Sequence, residues 1–138
     1  MSEKNLWTSC RKKWPDIFLQ RIETAVERGI PDLFYCYQGL TGWLEGKYLD
    51  KPVHETSKCR TKVSVEQIAW HRSFRRNKGA VFLLVKVSKE VFLFDSGEAE
   101  KLNSGVVYKN LKDLSLAHGW DKIRDFLINK ENYCINDN

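Results

Sequence analysis

The sequence predicts a mixed α/β fold, a central mixed β-sheet flanked by helices, and three stretches carry that expectation. Residues 80–87 (AVFLLVKV) form a nearly continuous apolar run of strand length, as in a strand covered on both faces, and 91–94 (VFLF) reads as its hairpin partner. Two aromatic-rich segments, 32–37 (DLFYCY) and 42–49 (GWLEGKYL), are joined by a turn containing Gly39 and Gly42, and read as a second strand pair. Between the pairs, Ser64 and Gln67 stand at capping-box spacing, so a helix is expected from Ser64 to about Asn77, ended by Lys78 and Gly79.

The remaining elements follow in chain order. Residues 3–13 read as a short helix with Leu6, Cys10 and the Lys13 stem on one side, stopped by Pro15. Residues 17–23 are compatible with a strand or a helix, and the chain breaks at 29–31 (GIP), where Pro31 opens the next strand at Asp32. The polar, basic stretch 50–63 reads as a loop. Helical signals return at 98–102 and at 120–129, where Ile123, Leu127 and Ile128 share a face, and the polar tail from Lys130 is expected to fray. No internal repeat is visible.

A chain of 138 residues, 42% hydrophobic and without low-complexity runs, is the size of one globular domain. Its formal charge of +5 tilts the expected partner toward a polyanion. The distribution is more informative, with seven basic residues and one acid between Lys58 and Lys78, a stripe suited to phosphate contacts. Cys10, Cys36, Cys59 and Cys134 form no CxxC pair, which argues against a zinc site or a disulfide scaffold and for free thiols in a reducing cytosol. The first residues lack the apolar core of a signal peptide and no stretch has the length of a membrane span, so a cytoplasmic protein is expected.

Asp32, Glu45 and Lys47 are the residues that point to chemistry. Side chains alternate along a strand, so Glu45 and Lys47, two apart, share one face, and Asp32 lies on the neighbouring strand. Two carboxylates supply hard oxygen ligands for Mg2+, with Mn2+ as a substitute. Such an ion stabilises charge developing on a phosphodiester and lowers the pKa of an attacking water, while Lys47 can orient that water or offset phosphate charge. Taken singly these residues read as a turn carboxylate and an exposed cross-face pair. Together, on a strand with Trp43, Leu44, Tyr48 and Leu49, they favour a metal site.

Asp32 after Pro31, then Glu45-Gly46-Lys47, then a basic helix carrying Gln67, resembles the PD-(D/E)xK nucleases. Within that superfamily it looks most like phage-type small nucleases of the VRR-NUC group and the archaeal Holliday-junction resolvases. The resemblance spans about residues 17–95, leaving a C-terminal helix at about 119–129 and a tail at 130–138. It implies a restriction-endonuclease-like core, with Asp32 and Glu45 as metal ligands, the Gly46 carbonyl as a further ligand, and Lys47 as the water-activating residue. Gly46 departs from the pattern, because the middle position of ExK is usually bulky and apolar, and a glycine there weakens a central strand and buries nothing.

Glu23 is the candidate for an additional carboxylate before the proline-aspartate strand, with a solvated charge beside Arg21 as the competing reading, and Glu3 could serve from the first helix. Gln67 reads equally as a site residue or as the capping partner of Ser64. Lys58, Arg60, Lys62, His71, Arg72, Arg75, Arg76 and Lys78 are the expected DNA contacts, against the alternative of a solvated helix end and loop. Trp70 and Phe74 read as core or dimer contacts. The expectation is therefore a Mg2+-dependent DNA endonuclease acting on branched DNA as a homodimer, in a host cytoplasm if viral. The competing readings are a general nicking or single-strand nuclease and a catalytically degenerate nucleic-acid-binding protein.

Overall fold

Nearly continuous apolar runs in the middle of the chain form strands buried on both faces, and the result is a six-stranded sheet with two separately packed faces. The structure is a computed structural model and describes residues 3–23 and 28–133, the side chains of residues 3 and 4 excepted. Helix α1 (Glu3–Lys13) is followed by β1 (Phe18–Arg21), β2 (Leu33–Tyr37), β3 (Leu40–Leu49) and the short β4 (Lys58–Cys59). Next come α2 (Val65–Arg76), β5 (Val81–Val87), β6 (Glu90–Asp95), α3 (Ala99–Ser104), β7 (Val106–Val107), α4 (Leu111–Leu114), β8 (Ala117–His118) and α5 (Trp120–Ile128). The main sheet runs in the order β1-β2-β3-β5-β6-β8, and β4 pairs with β7 in a second, two-stranded sheet. Strands β3 and β5 are parallel and every other neighbouring pair is antiparallel. The mixed, helix-flanked sheet expected from the sequence is the fold observed.

The parallel pair requires a crossover, and α2 supplies it. Alternation along β3 and β5 then divides the core. Leu44 and Leu84 pack with Leu6, Trp7, Cys10 and Trp14 of the α1 segment and with Ile123 and Leu127 of α5. On the other face Leu83, Val85 and Val87 pack with Ala99, Leu102 and Leu111 beneath α3 and α4. Both faces of β5 are buried, as its nearly continuous apolar run requires.

Several expectations are corrected. The buried stripe of α1 is Leu6, Trp7 and Cys10, continued by Trp14, whereas Lys13 is exposed. Its stripe is wider than expected because Trp7 packs over Gly46 of β3 and Trp14, just past the helix, packs edge-on against Trp120. Residues 18–21 resolve to a strand. The β2–β3 turn is the two-residue Gln38-Gly39, with both φ values positive (45° and 88°), the geometry whose twist matches flanking strands. Gly42 lies instead within β3, where the Tyr35 ring leaves no room for a side chain. At the end of α2 the left-handed residue is Lys78 (φ 69°), and Gly79 is required because the Phe74 ring stands where its Cβ would be. Of the tail at 130–138, Lys130–Tyr133 forms a 3-10 turn, with the Tyr133 hydroxyl 2.5 Å from that of Tyr35 and 2.6 Å from the Leu127 carbonyl, and residues 134–138 lie outside the described residues. Cys134 lies outside the described residues.

Candidate active site

Asp32 immediately precedes β2, and the β2–β3 ladder ends at the Leu33–Leu44 pair, so Asp32 is brought opposite Glu45 just where regular pairing stops. Its Oδ2 accepts a hydrogen bond from the Gly46 amide at 3.1 Å. The N–H and C=O of one strand residue point to the same edge, so the Gly46 carbonyl is directed toward Asp32 as well. Glu45 is 1% exposed and Lys47 lies on the same face, with Lys47 Nζ 3.6 Å from Glu45 Oε2. A buried carboxylate requires charged or donating neighbours, and these supply them.

Gln67 closes the cluster from α2. Its Nε2 donates to Glu45 Oε2 at 2.8 Å, and its Oε1 accepts from Lys47 Nζ at 3.3 Å. The same Oε1 accepts from the Ser64 amide at 2.9 Å, while the Gln67 amide donates to Ser64 Oγ at 3.1 Å. The same side chain therefore completes the capping box and bridges Glu45 and Lys47, and the capping reading of Gln67 holds. The start of α2 is held in turn by Asn103, whose Oδ1 accepts from Thr61 Oγ1 (2.7 Å) and the Val63 amide (2.9 Å) and whose Nδ2 donates to the Val63 carbonyl (2.9 Å). Asn103 was not singled out by sequence, because nothing local to a short polar helix signals a partner some 40 residues away.

A cleft of about 480 Å3 opens beside the cluster, lined by Arg21, Glu23, Arg28, Asp32, Ser64 and Gln67 among others. Glu23 thus shares the cleft with Asp32, yet it is largely exposed and pairs with Arg21 at 3.5 Å. Glu3 starts α1, and its side chain lies outside the described residues. Among the described residues no group of three or more His, Cys, Asp or Glu gathers as a metal cage. A cation here would take the Asp32 and Glu45 carboxylates and the Gly46 carbonyl, an all-oxygen set suited to a hard divalent ion that keeps part of its water shell.

Gly46 has a structural reason that its sequence does not show. Its Cα faces α1, and a side chain there would collide with the indole of Trp7 and with Leu6. The expectation that this position buries nothing is corrected: Trp7 fills the space that a bulky ExK middle residue would take.

The basic residues separate into two sets. Lys58, Arg60, Lys62, Arg76 and Lys78 are exposed. Arg72 pairs with Glu100 at 3.1 Å, and Arg75 donates to Ser96 Oγ at 2.7 Å, so both also dock α2 on the segment after β6. His71 is 1% exposed, and its ring does not reach a phosphate at the surface. Among the described residues neither ring nitrogen has a hydrogen-bond partner. Burial, with the Arg75 and Lys47 charges adding to it, holds its pKa down to about 4, so the ring is neutral. Trp70 stacks on Phe74 at 5.0 Å and meets Trp43 edge-on at 5.6 Å, which makes both packing residues, as expected.

No protein-family model matches the chain, and no curated protein matches it in sequence. Among solved structures it is similar to Hjc, a Holliday junction resolvase from the archaeal hyperthermophile Archaeoglobus fulgidus. The TM-score is 0.50 at 13% identity, over 78% of this chain and 94% of that one. The similarity is one of fold.

Proposed function

We propose that this protein is a divalent-metal-dependent DNA endonuclease that hydrolyses phosphodiester bonds and selects branched DNA of the Holliday-junction kind. The observation that carries the reading is the arrangement itself: Asp32 accepts from the Gly46 amide next to Glu45 where a strand ladder ends, Lys47 lies beside Glu45, and Gln67 bridges the last two. The likeness of fold to an archaeal resolvase adds to it.

Asp32 and Glu45, with the Gly46 carbonyl, would hold Mg2+ or Mn2+, which supplies charge stabilisation for the phosphodiester and a more acidic water when bound. Asp32 is preorganised for this by the Gly46 amide, which fixes its carboxylate against the strand edge. Gln67 holds Glu45 by one arm and Lys47 by the other, so the ammonium is kept within reach of a phosphate approaching the carboxylates. Lys47 there orients the attacking water and offsets the negative charge that accumulates in the transition state. Glu23, on the wall of the same cleft, would be the additional carboxylate available to such an ion.

Lys58, Arg60, Lys62, Arg76 and Lys78 would neutralise backbone phosphates, a sequence-independent contact that suits recognition of DNA shape. Two symmetric cuts require two clusters, and the described residues hold one, so the active species is a homodimer. A decayed binding module is the less favoured reading, because the feature that suggested decay, Gly46, is matched by Trp7.

The test is cleavage of a labelled four-way junction, beside matched duplex and single strand, in Mg2+, Mn2+ and EDTA. Paired cuts on the junction alone, lost in EDTA and in Lys47→Ala, are expected. Equal cutting of all three substrates would leave a general nuclease, and no cutting with any metal would overturn the reading.

A further inference from the structure

The imidazole of His71 is buried, and neither ring nitrogen is hydrogen-bonded among the described residues. A neutral imidazole carries one donor and one acceptor, and native interiors rarely leave both unused. The ring stands one turn beyond Gln67 on the same face of α2, and Gln67 Oε1 itself lies 3.3 Å from Lys47 Nζ. It also stays neutral, so its free nitrogen is an acceptor at ordinary pH.

Lys47 has three protons to place and two contacts in this arrangement, Gln67 Oε1 at 3.3 Å and Glu45 Oε2 at 3.6 Å. The second is an ion pair that depends on the negative charge of Glu45. A divalent cation on Asp32 and Glu45 cancels that charge and sets a like charge against the ammonium, which then favours a neutral acceptor over the carboxylate.

We infer that His71 is a positioning residue, whose buried neutral imidazole accepts a hydrogen bond from the Lys47 ammonium when a divalent cation occupies the Asp32 and Glu45 carboxylates. The inference rests on the proposed nuclease for what Lys47 then does, and on the packing of α2 over β3 for the contact itself. Its physical content is an exchange of partners: the ammonium leaves a carboxylate that has taken a cation and is retained in the site instead of swinging to solvent.

The first measurement is a long-range 1H–15N NMR spectrum of the full chain, labelled with 15N-histidine, titrated with Mg2+ in the absence of DNA. The unprotonated His71 nitrogen is expected to move upfield as Mg2+ is added and to stay in place in Lys47→Met. A resonance that does not move, or that moves equally in Lys47→Met, overturns the inference. The second is junction cleavage. His71→Gln, which keeps an acceptor, should stay within about threefold of wild type in kcat. His71→Leu should lose about 10- to 100-fold in kcat, with KM and junction affinity unchanged and with thermal stability equal or higher, since it removes buried polar atoms. A merely structural histidine would leave kcat of the Leu variant at the wild-type value, which also overturns the inference. If the wild type cleaves nothing, the nuclease reading fails and the NMR titration alone decides the role of His71.

Discussion

The indole of Trp7 occupies the space that a side chain at Gly46 would need, so α1 lies directly against the strand that carries Glu45 and Lys47. Helix and site are thereby coupled through one missing Cβ. Gly46→Ala must displace Trp7 from a packed core, and it should cost about 1–3 kcal/mol in urea unfolding. In Gly46→Ala/Trp7→Phe the smaller ring should recover part of that cost, and strict additivity of the two changes would contradict the contact.

Asp32 is oriented by the Gly46 amide, and Glu45 by Gln67. Asp32→Asn should keep junction affinity while cleavage falls by about 100-fold or more, because binding relies on phosphates and cleavage on the carboxylate. Gln67→Ala should cost less, about tenfold in rate, together with a loss of about 1 kcal/mol from the helix cap. Gel-shift and cleavage assays on the same samples separate the two quantities.

His71 makes stability depend on pH. Its pKa is held near 4 in the folded state against an ordinary value of 6.5, so the unfolded chain binds more protons between these limits. Its contribution is therefore fully present above about pH 6.5 and is lost as pH falls toward 4, amounting to on the order of 3 kcal/mol over that whole window. Denaturant midpoints of the wild type should fall between pH 6.5 and 5, before most carboxylates titrate, and His71→Leu should flatten that slope.

The C-terminal turn is fastened by a hydroxyl chain. The Tyr133 proton is directed at the Leu127 carbonyl (2.6 Å), which leaves the buried Tyr35 hydroxyl to donate to Tyr133 (2.5 Å). Burial raises both phenols, Tyr133 to about 12, so the pair stays protonated through neutral pH. Tyr133→Phe strands the Tyr35 hydroxyl and should cost about 1–3 kcal/mol. Adding Tyr35→Phe should recover part of that loss in thermal unfolding.

The two sets of basic residues predict two kinds of defect. Lys62→Ala, at an exposed position, should weaken binding to every DNA alike and reduce the slope of log affinity against log salt by about one. Arg75→Ala removes the contact to Ser96 and should lower the melting temperature as well. Equal melting temperatures for the two variants would contradict the docking role of Arg75.

The sequence by itself determined the elements whose signals are local. The period of two set Glu45 and Lys47 on one face, the nearly continuous apolar run at 80–87 marked the doubly covered strand, and the Ser64/Gln67 spacing started α2 at the observed residue. Those signals arise from backbone geometry and capping, which act within a few positions. Tertiary structure alone decided that Gln67 reaches Glu45 and Lys47, that Trp7 explains Gly46, that Asn103 holds the start of α2, and that His71 is buried. It also decided the two-residue strands β4, β7 and β8, which are too short to carry a pattern. Each of these depends on a partner distant in the chain, and such contacts form only once the sheet has closed and the helices have packed on it.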